Sequence, residues 1–291
     1  MLVHASFGPA RRLNRILGGS ILICCVVAGF SCVNRPSPVA GAEKAPDFAV
    51  DPNVSWSLEG RIDDLLPPAS GPGPVTFDPV HTFHPGTDYR VADLSNPILL
   101  PWAKEQMKKA NDEVLAGKVP FRARERCWPV GVPGFVTYSP VAAFYVIQAP
   151  KVVTIVNAGG PEIRRVYMNA PHSENPKPSW YGESVGHYEG GDTLVIDTIA
   201  LSDRTFIDNY RTPHTTKLHV VERLRLTDGG NAVEIALTVD DPGTFTTAWS
   251  ATQRWTRVDR GPLGENLCNE NNEDILHRYG VPNPKSDKPD F

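Results

Sequence analysis

Between Trp180 and Leu226 the chain gathers side chains able to move protons or bind anions around two strand-like runs. The second run, Leu218–Leu226, reads LHVVERLRL. Alternate residues of an extended strand share a face. Leu218, Val220, Glu222, Leu224 and Leu226 therefore project one way, and His219, Val221, Arg223 and Arg225 the other. Glu222 is a carboxylate on an otherwise apolar face. Burial would raise its pKa toward the range useful to an acid or base, unless it pairs with Arg164 or Arg165 from a neighbouring strand. His219 and Arg223 share the polar face, where an imidazole and a guanidinium suit proton transfer and the clamping of an anion or carbonyl.

The preceding connection, Asp203 to His214, adds Asp208 and Tyr210. A neutral His214 beside Asp203 or Asp208 would form a general base oriented by a carboxylate; the competing reading is an aspartate capping a turn next to a surface histidine. His172, with Trp180 and Tyr181, lies in another polar loop and suits a rim gripping a flat ligand, or ordinary loop packing. The expected catalytic set is thus Glu222, His214, His219 and Asp208, and the expected substrate-binding set is Arg223, Trp180, Tyr181, His172 and Tyr210. Asp197, between Ile196 and Thr198, reads as an inward-facing structural hydrogen-bonding group.

Gly182-Glu183-Ser184-Val185-Gly186 matches G-x-S-x-G, but that chemistry needs a strand–turn–helix elbow, and here the match runs into another β-patterned segment. His172, His214 and His219 with Asp208 or Glu222 have no recognised metal-ligand spacing, so no metal is expected. Neither a phosphate-cradling glycine loop nor a nicotinamide or flavin fingerprint is present, and no organic cofactor is expected.

The elements that must position these residues are strands. Phe144–Gln148, Val152–Asn157, Glu162–Met168, Glu183–Glu189, Thr193–Ile199, Leu218–Leu226, Ala232–Asp240 and Thr246–Arg257 are rich in Val, Ile, Thr and aromatics and are separated by turn residues. Gly190-Gly191-Asp192 reads as a hairpin turn. The pattern predicts an all-β domain over 127–271, an antiparallel meander closed as a β-barrel or folded as a sandwich. A Pro/Gly-rich wrap over 43–126 carries one amphipathic helix from about Leu100 to Ala116, its stripe formed by Trp102, Met107, Ala110 and Val114. Residues 272–291 read as a polar tail.

Residues 1–42 read as a bacterial secretory signal: Arg11, Arg12 and Arg15, then the apolar run Ile16–Phe30, then Ala40-Gly41-Ala42. A lipoprotein would instead be acylated at Cys32, which would bring it to a membrane. The signal contains four arginines and no acid, so its removal takes the net charge from −4 to −8. Without a basic cluster, nucleic acid is not an expected partner. Cys127 and Cys268 remain, and two cysteines in an exported chain point to one disulfide, against the alternative of two buried thiols.

The stretch GESVGHYEGGDTLVIDT, followed by DRTFIDNYRTPHTTKLHVVERLRL, DDPGTFTTAW and a C-terminal CNEN, resembles a family of uncharacterised secreted bacterial proteins. Their shared pattern is approximately GHSxGxWEGDTLVVDT, PHSxxLHVVER, DPxxxTxPW and CxEN. The match spans about Cys127 to Asn271, departing at Tyr188 and at the extra Gly of Gly190-Gly191. The strand pattern is also similar to calycin barrels such as lipocalins, an analogy of fold alone. Two functions are expected from the residues: an exported, cofactor-independent lyase, isomerase or hydrolase acting on a small, partly apolar or aromatic molecule, or a non-catalytic lipocalin-like carrier of a small hydrophobic ligand.

Overall fold

Nine strands close on themselves in a computed structural model that describes residues 45–49, 51–59, 65–81, 90–118, 123, 127–137, 143–158 and 162–264. The expected all-β barrel is the architecture found. Strands β1 (Val54–Leu58), β2 (Ala143–Ala149), β3 (Val152–Asn157), β4 (Ile163–Met168), β5 (Glu183–Glu189), β6 (Thr193–Ile199), β7 (His219–Thr227), β8 (Ala232–Asp240) and β9 (Trp249–Asp259) pair in chain order. β1 then bonds back to β9. Alternation does what the pattern demands. In β4, Arg164, Val166 and Met168 are buried while Ile163, Arg165 and Tyr167 face out. In β8, Val233, Ile235, Leu237 and Val239 line the interior. Closure gives each of these strands a paired neighbour on both sides.

Three expectations are corrected. β1 lies in the segment read as a wrap; it is five residues long and flanked by turn formers, so its periodicity was too short to stand out. Its Trp56 is 1% exposed, and the indole N–H donates to the Phe48 carbonyl at 3.0 Å. Secondly, β4 and β5 run parallel, through Val166↔Ser184 and Met168↔Gly186. The long connection 169–182 lets the chain cross over rather than turn back, as a parallel pair requires. Thirdly, β9 starts at Trp249 rather than Thr246, because Phe245 and Thr246 pair instead with Leu99 and Ile98. The hairpin between β5 and β6 is as expected, with Gly190 and Gly191 at φ of 58° and 71°, the left-handed pair a tight hairpin turn uses.

Helix α1 (Pro101–Leu115) packs beside the barrel, and a short helix α2 (Gly134–Thr137) is wholly buried. The buried stripe of α1 is Ala103, Met107, Asn111 and Val114, a rotation from the predicted one that leaves Trp102 at 38% exposure. Asn111 explains the shift, because its amide both donates to and accepts from the backbone of Ala92 at 2.9 Å. That pair of bonds sets which face of the helix turns inward.

The barrel interior is a packed core. Phe144 and Trp255 meet with their rings tilted, 4.8 Å between centroids, and Trp56, Leu194, Ile196, Ile235 and Leu237 fill the space around them. Among the described residues no helix is long and apolar enough to cross a membrane.

Candidate functional site

Glu222 faces the interior as its strand parity predicts, at 1% exposure. There it forms an ion pair with Arg164, itself 1% exposed. Arg164 also donates to Thr198 Oγ1 at 2.7 Å and to Ser184 Oγ at 3.2 Å, and those two hydroxyls lie 2.9 Å apart. The four residues form a closed polar knot inside an apolar barrel. Glu222 is therefore a structural partner of Arg164 and not a free acid or base, which corrects its place in the catalytic set. Ser184, buried near the start of β5 in the same knot, has neither the exposure nor the elbow of a nucleophile. The glycines flanking it serve packing: a Cβ at Gly186 would sit 2.7 Å from Val166 Cγ1 and from the Val195 carbonyl.

Asp208 is also structural. Its carboxylate accepts from the N–H of Tyr210 (2.9 Å), the N–H of Thr212 (3.2 Å) and the Thr212 hydroxyl (2.7 Å), stapling a tight loop. Burial pushes this carboxyl up to about 6, against the opposing pull of those bonds. His214, 3% exposed, is oriented by a backbone carbonyl instead of by Asp203 or Asp208. Its Nδ1 lies 3.0 Å from the Thr215 carbonyl, and its Nε2 lies 2.8 Å from Thr205 Oγ1. The carbonyl can only accept, so Nδ1 carries the hydrogen and Nε2 accepts from the threonine. Desolvation holds the imidazole below its ordinary pKa, which keeps this neutral tautomer in place.

The aromatics expected at a ligand rim are engaged in packing. Trp180 meets Trp128 edge-on at 5.4 Å, with the Arg204 guanidinium 5.9 Å from its ring, and Tyr181 packs on Phe135 at 6.2 Å. Tyr210, 4% exposed, packs on Phe77 at 5.5 Å. Arg223 faces solvent and pairs with Glu189 on β5, at the side of an outer groove of about 560 Å³ that Arg225 and Glu234 also line.

What the structure brings together is a chain of side chains on the outer face of β5, β6 and β7. Asp197 Oδ1 lies 2.9 Å from His219 Nε2 and 3.0 Å from His172 Nε2. The other nitrogen of His172, Nδ1, lies 3.0 Å from Glu183 Oε1. Ser173 completes the chain by donating its N–H to Oε1 at 2.7 Å and its hydroxyl to Oε2 at 2.5 Å. Those serine bonds, with a smaller contribution from His172, hold the Glu183 carboxyl below its usual range. Asp197 thus faces outward, 38% exposed, correcting its inward reading. Its parity could have shown this: Leu194, Ile196 and Thr198 are the apolar and hydroxyl side of TLVIDTI, which leaves Asp197 opposite them. Glu183 was missed because its partner comes from a loop eleven residues earlier.

Both imidazoles must donate to Asp197 Oδ1, since a carboxylate oxygen only accepts. A neutral His219 ring is then the Nε2–H tautomer, with a lone pair on Nδ1. That atom has no partner among the described residues, and the side chain is 41% exposed. His172 faces a carboxylate from each nitrogen, and both contacts are hydrogen bonds only when the ring carries two protons. The arrangement offers a carboxylate-oriented imidazole with an open nitrogen beside a second imidazole that bridges two carboxylates.

Among the described residues no group of three or more His, Cys, Asp or Glu is placed to hold a metal ion. Cys127 is described, whereas Cys268 and Cys32 lie outside the described residues, as do residues 1–42, read from the sequence as a signal, and 272–291, read as a polar tail. No protein-family model and no curated protein matches the chain.

Proposed function

We propose that the chain is an exported, cofactor-independent enzyme, a lyase, isomerase or hydrolase, acting on a small, partly apolar or aromatic molecule. The observation that carries this reading is the convergence of His172 and His219 on one oxygen of Asp197 at an accessible surface. His219 Nδ1 takes a proton from the substrate, Asp197 holds the ring in the required tautomer and stabilises its charged form, and His172 donates. A histidine oriented by a carboxylate with its far nitrogen open is the arrangement general base catalysis calls for.

The carrier alternative needs room for a ligand. The barrel interior is occupied by Trp56, Phe144, Trp255 and the Arg164–Glu222 pair, so the packing favours a surface site over a lumen ligand. Export to the periplasm, kinship with the secreted family whose motifs the chain resembles, and a Cys127–Cys268 disulfide belong to the same proposal. Membrane association would follow only from acylation of Cys32.

The test is a turnover screen of the purified protein against aryl esters, lactones and α,β-unsaturated carbonyl compounds, read by mass spectrometry. Any hit is repeated with His219→Asn and Asp197→Asn. Turnover lost in both variants at unchanged thermal stability supports the reading. Turnover unchanged in both, or none on any class, overturns it.

A further inference from the structure

A second cavity lies apart from the His172–Asp197–His219 chain, none of whose members line it. It is a groove of about 590 Å³ between the exposed face of α1 and the segment 203–216. That volume falls in the ordinary range for small-ligand sites, roughly 300–1,000 Å³. We propose that this groove binds a neutral saccharide of one or two rings.

One argument is an aromatic platform. Trp102 sits in the first turn of α1, and its indole N–H donates to the Gly243 carbonyl. That bond pins the ring while leaving it 38% exposed. Phe206 lines the facing wall. A fixed, half-exposed indole leaves apolar surface in water that a flat C–H face can cover, regaining about 25 cal/mol per Å². The carbonyl that anchors it is itself set by Asp241, which accepts from the Gly243 N–H at 3.0 Å and from the Thr244 hydroxyl at 2.8 Å. The platform is therefore built into the fold.

The other argument is the polar lining. Glu113 and Asp203 line the groove with Gln106; among the described residues Glu113 and Gln106 have no side-chain hydrogen-bond or ion-pair partner, and Asp203 acts on the neighbouring His214 through its charge alone. Two carboxylates that accept no hydrogen bond and an unpaired amide call for a ligand with several donors. A hydrocarbon would bury them unpaired, which costs each group its hydration with nothing in return. An anion would face both carboxylates. Lys109, which pairs with Glu105 at 3.7 Å, and Arg211, which donates to the Arg90 carbonyl at 2.8 Å, also line the groove and set positive charge beside the two acids, so a bare cation gains little. Hydroxyls paired in rows over a C–H face meet all of these conditions.

The test is NMR titration of the full chain with cellobiose, maltose and N-acetylglucosamine, with benzoate and choline as the charged comparisons. The expected result is saturable shifts at the Trp102 indole N–H and the Gln106 carboxamide with at least one sugar. Trp102→Ala should weaken that binding about tenfold or more, while Trp102→Phe stays within about threefold. Gln106→Ala, a surface change, should weaken it without altering the rest of the spectrum. No shift with any sugar at about 100 mM, shifts confined to other residues, or shifts with choline or benzoate alone would overturn the proposal. The result is independent of the turnover screen, because no residue is shared with the acid–base chain.

Discussion

Arg164 on β4 and Glu222 on β7 meet inside the barrel with two strands between them along the sheet, each 1% exposed. An ion pair this deep offsets its desolvation only through close geometry and further hydrogen bonds, which Ser184 and Thr198 supply. Removing one partner strands the other. Glu222→Ala should therefore destabilise the protein by about 3–5 kcal/mol, whereas the double variant Arg164→Met with Glu222→Leu should recover most of that loss. Urea unfolding of the two variants checks both directions; equal losses would show that the pair itself, rather than an unpaired charge, sets the cost.

Ser184→Ala removes one acceptor of Arg164 and leaves the others. The expected loss is about 1–2 kcal/mol, with turnover unchanged. Activity abolished in a folded Ser184→Ala protein would restore the serine-hydrolase reading of the G-x-S-x-G match.

Two buried groups should give the stability opposite slopes with pH. Burial pushes the Asp208 carboxyl from 3.8 to about 6. Between those values the folded protein keeps a proton that the unfolded chain has released, so stability falls as pH rises across the window, by on the order of 3 kcal/mol. His214 works in reverse. Desolvation holds it below 6.5, so the unfolded chain takes up the proton first, and stability is lost as pH falls below about 6.5. Asp208→Asn should unmask the histidine, giving a protein that loses stability steadily on acidification. His214→Gln should show stability rising on acidification through pH about 6. Urea midpoints across this range would distinguish the two; parallel curves in both variants would be the contrary result.

Asp197→Asn keeps the shape of the outer chain and changes its hydrogen bonding, since an amide nitrogen in place of Oδ1 would meet donors. The side chain is 38% exposed, so stability should move by no more than about 0.5 kcal/mol. Turnover on any substrate from the screen should fall about 100-fold or more, and its pH profile should shift. A loss of binding without a change in the profile would indicate a positioning role alone.

Gly182 has φ of 63°, and a Cβ there would lie 2.3 Å from the Ile199 carbonyl. Gly182→Ala must move backbone rather than a flexible side chain. It should cost at least about 2 kcal/mol, read as a lowered thermal midpoint; an unchanged midpoint would mean that the entry to β5 can shift.

Strands β2 to β9 and α1 were legible in the order of residues because period-2 and period-3.6 burial are local properties, visible in runs such as the LHVVERLRL alternation at Leu218–Leu226 and in the Met107–Val114 spacing. The same locality made Glu222 visible as a carboxylate on an apolar face. Its role depended on Arg164, on a strand three positions away in the sheet, and only closure of the barrel made them neighbours. Asp208 and His214 looked like an acid–base pair because they share a loop, but the loop's own backbone groups were nearer partners for each. The site that remains joins a loop histidine, β5, β6 and β7, and sequence separation concealed it. Parity along each strand determined which way every side chain points; the register between strands and the crossover at 169–182 decided which of them meet, because contact distance is a property of the closed sheet and not of the chain.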